Sequence, residues 1–241
     1  MSRLTKKYQP FRFKQFTVDH NLSSMKVGVD AVLLGAWAKV EKARNILDVG
    51  TGSGLIALMM AQKNTEAEIH AIDIEENAFK QAEINFSNSA WKQRFSLYLD
   101  DFNTWQTNTK FDVIISNPPF FSQSLKSEIE GRNLARHNDA LPLHNLLQKA
   151  KILLNDRGSL FMVYPAEALD EIKKEIKICA LYLKSITLVK PIISKPPKRV
   201  LVEITNEVII EVTQNELCIH STPEEFTKEY VELTKDFYII F

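Results

Sequence analysis

The sequence of 241 residues has only two cysteines, no net charge and no long hydrophobic segment. Cys179 and Cys218 are isolated and lack metal-ligand spacing, which argues against a disulfide-stabilised scaffold and favours a reducing compartment. No apolar run approaches the roughly 20 residues of a membrane-spanning helix, and the N-terminus lacks the apolar core of a signal peptide. We therefore expect a cytoplasmic protein that does not associate with membranes.

The charges balance, with thirty basic and thirty acidic residues, so total charge gives no sign of nucleic-acid binding. Basic residues are nevertheless concentrated in two stretches, one interleaved with aromatic residues and the other with prolines. Such a stretch is usually a solvated tail or loop, but cations among aromatic residues also suit a flexible arm that binds nucleic acid. The candidate RNA contacts in these stretches are Arg3, Lys6, Lys7, Arg12, Lys14, Lys195, Lys198 and Arg199.

From residue 43 onward, short β-rich segments alternate with helical patterns, which predicts a mostly parallel sheet with helices on both faces. In such sheets, ligands bind beyond the C-terminal ends of the strands. Thr222 with Pro223 and Glu225 predicts the start of a last helix. The predicted strands are Asn45–Val49, Glu68–Asp73, Phe95–Leu99, Phe111–Ser116, Gly158–Tyr164, Lys184–Lys190 and Val200–Val212.

The chain has seven glycines, and three of them stand at alternate positions directly after the first of these strands: Gly50, Gly52 and Gly54. Glycine allows a tight turn and a close approach of the backbone to a ligand. The spacing differs from that of a dinucleotide-binding loop, and the preceding acid, Asp48, would repel a pyrophosphate. A carboxylate there can hold a cationic amino group, so the pattern favours a ligand with an amino-acid tail.

Acidic residues follow the next two strands. Asp73 lies about 20 residues after the glycines, the interval at which an acid meets ribose hydroxyls in nucleotide-binding folds. Asp101 is a candidate acceptor for an adenine amine, with Phe102 packing on the base. Asp100 is almost as good a candidate, and both acids are also typical of a simple turn. The glycine loop and the acids that follow the next strands together indicate a nucleoside cofactor.

The fourth strand ends in Asn117-Pro118-Pro119-Phe120. Neither proline has a backbone N–H, and each restricts the preceding residue to extended geometry, so the strand stops in a stiff elbow. The side-chain oxygen of Asn117 and the carbonyl of Pro118 can each accept an N–H from an exocyclic amine, while Phe120 stacks on the ring. An ordinary strand-ending turn is the alternative interpretation.

In this order, the motifs resemble those of class I S-adenosylmethionine-dependent methyltransferases that modify amino groups. Residues 25–37, Asn117–Phe121, Ala135–His137 and Asp236–Tyr238 further resemble the bacterial tRNA1(Val) adenine-37 N6-methyltransferases over nearly the full chain. The resemblance implies one domain over residues 1–241 with a Rossmann-like, seven-stranded α/β sheet. It implies monomethylation of an anticodon-loop adenosine, with S-adenosylmethionine converted to S-adenosylhomocysteine and no metal. Phe120 is a departure, because tyrosine is commonest there in this family.

The resemblance also assigns roles to segments outside the strand ends. Residues 1–40 would form an extension that contacts RNA and, through Lys26 to Asp30, encloses the cofactor. Apart from the resemblance, the charges of Arg132 and Arg136 make them candidates to hold phosphate groups of tRNA, and no obligate protein partner is evident. His137 remains open between a base, a phosphate contact and a structural residue.

Three other functions fit some of these motifs. The same elbow can present a glutamine amide of a protein, although a peptide substrate would not require the basic, aromatic N-terminus. Methylation of guanine N2 or of DNA adenine is a second possibility, and the lack of a separate sequence-reading domain argues against DNA. A non-catalytic nucleoside-binding module is the third, and it would not need the Asn117–Phe120 elbow.

Overall fold

The computed structural model describes residues 9–22, 26–118 and 141–241, and a nine-stranded sheet forms the centre of this part of the chain. Two further short strands, β1 (Phe11–Arg12) and β2 (Thr17–Val18), form a separate antiparallel hairpin. The strands of the large sheet are β3 (Asn45–Val49), β4 (Glu68–Asp73), β5 (Phe95–Leu99), β6 (Phe111–Ser116), β7 (Leu154–Pro165), β8 (Tyr182–Ile192), β9 (Arg199–Thr205), β10 (Thr213–Thr222) and β11 (Glu225–Phe226).

The order of the strands fixes where a ligand can bind. Across the sheet they run β11-β10-β8-β9-β7-β6-β3-β4-β5, with β9 antiparallel to both of its neighbours and β11 antiparallel to β10. From β3 the chain moves first to β4 and β5 on one side, and then to β6 and β7 on the other. The crevice above the C-terminal ends of β3 and β6 is therefore the point at which strand order reverses, where open α/β sheets bind ligands.

Helices cover both faces of the sheet, as the alternating pattern predicts. None of those in the described ranges is long and apolar enough to cross a membrane. The helices are α1 (Val29–Trp37), α2 (Leu55–Lys63), α3 (Glu76–Ser87), α4 (Leu143–Leu153), α5 (Leu169–Ile178) and α6 (Lys228–Thr234), with short 3-10 helices at Lys92–Arg94 and Ala166–Ala168.

The core consists of two apolar layers that the sheet separates. Along β3, Ile46 packs into the layer with α1 and α2, whereas Leu47 packs into the layer with α4 and α5. Val113 and Ile114 of β6 divide in the same way. This alternation follows from the two-residue period of a strand, and it holds the strand ends in fixed register.

The described N-terminal segment is part of this core. Phe13 stacks on Phe16 and on Tyr238 near the C-terminus, with ring centroids 4.6 and 5.9 Å apart. The Lys14 N–H donates to the carbonyl of Phe237 at 2.8 Å. Phe13, within the N-terminal basic stretch, therefore anchors the hairpin to the segment near the C-terminus.

Two expectations at the C-terminal end are wrong. The sheet has nine strands instead of seven, because β9 ends at Thr205, a further long strand, β10, follows a loop, and the short strand β11 pairs with β10. Thr222 does not cap a helix: it pairs with Glu225 across a two-residue turn that contains Pro223. Proline suits a turn as well as a first helical position. The cap of the last helix is Thr227, whose side chain accepts the Tyr230 N–H.

Candidate active site

The glycine loop joins β3 to α2 in a conformation that requires glycine. Gly50, Gly52 and Gly54 have φ values of 71°, 57° and 79°, in the left-handed region. A Cβ added at Gly50 or Gly52 would have no atom within 4 Å, so these two positions border open space. At Gly54 it would lie 2.5 Å from the ring of Phe86, so this glycine serves the packing of α2 against α3. Only the first two glycines can meet a ligand.

Asp48 lies beneath the loop and is 1% exposed. Its Oδ2 accepts hydrogen bonds from Thr51 Oγ1 at 2.7 Å and from the Ala57 N–H, in the first turn of α2, at 3.2 Å. Its Oδ1 is buried with no partner among the described residues. Burial raises the pKa of this carboxyl to about 7, against the opposing effect of the two hydrogen bonds. A cationic group above the loop would offset this cost.

Asp73 links the end of β4 to the same loop. Its Oδ2 accepts the Gly52 N–H at 2.8 Å, and its Oδ1 accepts the Glu75 N–H at 2.9 Å. Burial raises its pKa, while these backbone hydrogen bonds lower it. A carboxylate has about four acceptor positions, so these hydrogen bonds leave capacity for a hydroxyl group of a ligand.

The acids after β5 continue this edge of the sheet. The Asp100 N–H donates to the Asp73 carbonyl at 3.1 Å, which places the two strand ends side by side. Asp101 is half-buried and its Oδ1 accepts from the backbone and side chain of Asn103, as in an Asx turn. Phe102 is buried in the core, with Lys149 Nζ 5.3 Å from its ring centroid. Phe102 thus packs below the strand ends.

Asn117 lies on the opposite side of the glycine loop from Asp73. Ser116, the last residue of β6, pairs with Val49 of β3, and its hydroxyl donates to the Val49 carbonyl at 2.9 Å. The next residues of the two strands, Asn117 and Gly50, therefore lie beside each other at the strand ends. Asn117 is half-buried and Pro118 is buried.

A cavity of about 370 Å³ opens between these elements. It brings together predicted residues from three distant parts of the chain: residues 26–31 at the start of α1 (the α1 entry), the glycine loop and the elbow. Asp48, Gly54, Asp73, Asp101 and Phe102 do not line it, although the first and third hold its loop. Its lining residues are Lys26, Gly28, Asp30, Ala31, Gly50, Thr51, Gly52, Ser53, Leu55, Ile56, Asn117 and Pro118.

Sequence reasoning missed several lining residues. Thr51 and Ser53 occupy the intervening positions of the glycine loop, and Leu55 and Ile56 open α2, so the loop motif itself could have identified them. Gly28 lies inside the predicted enclosing segment.

The predicted RNA contacts are scattered. Arg12, Lys195 and Lys198 are exposed. Lys14 is exposed and lines a groove of about 800 Å³ with Gln62 and Lys63 at the far, C-terminal end of α2. Arg199 is paired with Asp30, which lines the cavity. The predicted residues Arg3, Lys6, Lys7, Phe120, Arg132 and Arg136, together with His137, lie outside the described residues.

The fold is shared with known methyltransferases. The family model of the methyltransferase small domain matches residues 23–175. The crystal structure of a predicted O-methyltransferase from Agrobacterium tumefaciens has the same fold, with a TM-score of 0.68 at 18% identity over 86% of this chain and 96% of that chain. Sheet order, glycine loop and family model together define a methyltransferase with a class I, Rossmann-like fold.

Closer relatives are similar over nearly the whole length of the chain. The tRNA1(Val) (adenine(37)-N6)-methyltransferase of Bacteroides thetaiotaomicron is 43% identical over 235 residues, which cover 95% of this chain and 97% of the relative. That of Christiangramia forsetii is also 43% identical, over 96% of this chain and 98% of the relative. The chain belongs to this family, as its motifs implied.

Proposed function

We propose that this protein transfers the methyl group of S-adenosylmethionine to N6 of an adenosine in the anticodon loop of tRNA, at position 37 of tRNA1(Val). One observation carries the proposal: Asn117 and Pro118 line the same cavity as Gly50 and Gly52. A cofactor loop and an amine-binding elbow thus share one cavity, as direct transfer between two substrates requires. The names of the relatives support the choice of substrate.

The cavity and the strand ends beside it fit the cofactor. Gly50 and Gly52 leave open space beside the backbone, and the unpartnered Oδ1 of Asp48 offers negative charge below it. In this proposal Asp48 attracts the amino group of the methionine tail, Asp73 accepts from the ribose hydroxyls, and Asp101 accepts from the adenine amine. Lys26 and Asp30 enclose the bound molecule from the N-terminal side. The cofactor supplies an electrophilic methyl group on a sulfonium.

Asn117 and Pro118 prepare the acceptor. The lone pair of an adenine amine is delocalised into the ring, so the amine is a weak nucleophile. When Asn117 Oδ1 and the Pro118 carbonyl each accept one N–H, the lone pair localises on nitrogen and the positive charge that develops there is stabilised. The ring of Phe120 would stack on the base. The methylated amine then loses its proton readily, so no strong general base is required.

The proposed reaction needs no metal, because a sulfonium is already an activated methyl donor with a good leaving group. The base must leave the stack of its loop to reach the cavity, which costs less in a single-stranded loop than in a duplex. Residues 1–40 and the loop that carries Lys195 and Lys198 would hold the phosphates of the tRNA, and the reaction would take place in the cytoplasm.

The test is incubation of the protein with labelled S-adenosylmethionine and total RNA from a strain that lacks it, followed by nucleoside mass spectrometry. Label in N6-methyladenosine of the tRNA fraction is the expected result. Addition of a chelator should leave the rate unchanged. Label in protein, in N2-methylguanosine or in DNA would contradict the proposal.

A further inference from the structure

An ion pair joins two distant segments of the chain at the wall of the cavity. The Arg199 Nε donates to Asp30 Oδ2 at 2.8 Å, across a separation of 169 residues. The side chains are 34% and 26% exposed, so the pair is partly withdrawn from water and less screened than a surface pair. Asp30 also lines the cavity, together with Asn117. The pair therefore acts on the shape and charge of the site.

The backbone that carries Arg199 is held on both sides. As the first residue of β9 it pairs with Pro165 of β7 and Val189 of β8. Its Nη1 donates to the Lys198 carbonyl at 3.0 Å, and the same carbonyl accepts the Ala166 N–H at 3.2 Å. These contacts place the guanidinium at the C-terminal edge of the sheet.

Asp30 stands on an element with a less extensive connection to the sheet. It lies in the first turn of α1, just after the segment that leads into the cavity. No side-chain cap holds this end of the helix, whereas the following turns are buried through Val32, Leu33 and Leu34. A contact from Arg199 is therefore a direct means of fixing the α1 entry against the sheet.

We propose that Arg199 is a positioning residue of the cofactor site: it holds Asp30 at the cavity wall and balances its charge, so that S-adenosylmethionine binding depends on it. The neighbouring exposed cations, Lys195 and Lys198, keep the RNA-contacting role. The inference rests on the proposed function only in taking S-adenosylmethionine as the ligand of the cavity. It changes the role predicted for Arg199 from sequence, which was a contact to tRNA.

The experiment measures binding of S-adenosylmethionine by calorimetry without RNA, and tRNA affinity by filter binding at several salt concentrations. Arg199→Ala should raise the Kd for S-adenosylmethionine about tenfold, since truncation leaves a half-buried carboxylate without its partner. Arg199→Lys, which keeps the charge but loses the planar fork, should restore part of the affinity. Lys198→Ala is the matched control, and it should leave cofactor binding unchanged.

Two further readouts separate positioning from a general structural role. At saturating cofactor, kcat of Arg199→Ala should stay within about threefold of wild type while KM for S-adenosylmethionine rises. In a double-variant cycle, the protein with both Asp30→Asn and Arg199→Ala should bind the cofactor no more weakly than Asp30→Asn alone. Each substitution removes the same ion pair, so the second has nothing further to remove. Thermal melts of each variant give the folded fraction, and Arg199→Lys serves if Arg199→Ala does not fold.

The outcomes are distinguishable. If Arg199→Ala keeps wild-type cofactor affinity but loses tRNA affinity and salt dependence, Arg199 is an RNA contact and the inference is wrong. Additive effects in the double-variant cycle would also overturn it. If wild-type protein does not bind S-adenosylmethionine, the proposed function itself fails. If it binds the cofactor but methylates no tRNA, the binding arms still decide the role of Arg199.

Discussion

The two ends of α2 make an instructive comparison. At the N-terminal end lies the cavity of about 370 Å³ with the glycine loop, and at the C-terminal end lies the larger groove of about 800 Å³. At the C-terminal end, long cationic side chains donate hydrogen bonds to carbonyls of two helices. Lys63 donates to Ala36 O of α1 at 2.8 Å, and Arg94 donates to Ala61 O of α2 at 2.6 Å. The cations at this end of the helix therefore have a structural role.

The N-terminal end has a different chemistry. Each end buries one acceptor with no partner among the described residues, Asp48 Oδ1 in one case and Gln62 Oε1 in the other. The first belongs to an ionisable carboxyl beside a loop whose glycines face open space, and the second to a neutral amide. Burial of a charge costs far more free energy than burial of an amide, so a buried carboxylate without a partner is retained where a ligand compensates this cost. The ionisable carboxyl and the accessible glycine backbone therefore distinguish the cofactor site from the groove, whereas the larger volume of the groove does not.

The largest expected effect is on catalysis. Asn117→Ala removes the proposed acceptor for the target amine, so kcat should fall by about 10²- to 10³-fold with the Kd for S-adenosylmethionine within about twofold. Single-turnover rates and calorimetry measure the two quantities. Gln62→Ala, at the other end of α2, is the control and should retain kcat. A rate for Asn117→Ala within tenfold of wild type would refute the amine-binding role of the elbow.

The next effect separates the glycines of the loop. Gly52→Ala places a methyl group at the open side of the cavity at φ 57°, and it should raise the Kd for the cofactor at least about tenfold. Gly54→Ala instead drives a methyl group into Phe86, so it should lower the melting temperature by several degrees. Calorimetry and thermal melts on both variants test this division. Equal loss of affinity without loss of stability in Gly54→Ala would contradict it.

The smallest effect is a pH dependence. The pKa of Asp48 is about 7 in the folded protein and 3.8 in the unfolded chain, so the folded state holds the proton more firmly between these values. This carboxyl therefore reduces stability as pH rises from about 4 to about 7, and Asp48→Asn should remove that slope in thermal melts. A bound cation favours the charged carboxylate, so cofactor affinity should rise a few-fold between about pH 6 and pH 8. Equal slopes in wild type and Asp48→Asn would exclude this origin.

Local patterns in the sequence predicted much of the site. The strand, the three glycines and the following helix form one continuous motif, and the register of β3 against β6 then brings Gly50 beside Asn117. The separate function of Gly54 could not be predicted, because it depends on the ring of Phe86 from another helix. The same holds for the ion pair of Arg199 with Asp30, whose partners are joined only by the tertiary fold.

The predicted sheet agrees with the structure where strands alternate with helices. The prediction is wrong near the C-terminus, where this alternation stops. The segment from residue 206 to 227 contains a strand, a hairpin and a helix cap, and Thr222 with Pro223 suits either a turn or a helix start. The choice depends on β10 finding β8 as a parallel neighbour, which is a long-range contact. The direction of the Asp48 side chain, below the loop rather than into the cavity, also depends on tertiary packing.

Hydrogen–deuterium exchange with and without S-adenosylmethionine tests the central claim most directly, because one experiment reports on both ends of α2. We predict slower exchange of backbone amides on cofactor binding in residues 26–31 and 50–57, with no change in residues 62–67 and 229–237. Protection confined to residues 62–67 and 229–237, around the larger groove, would contradict it.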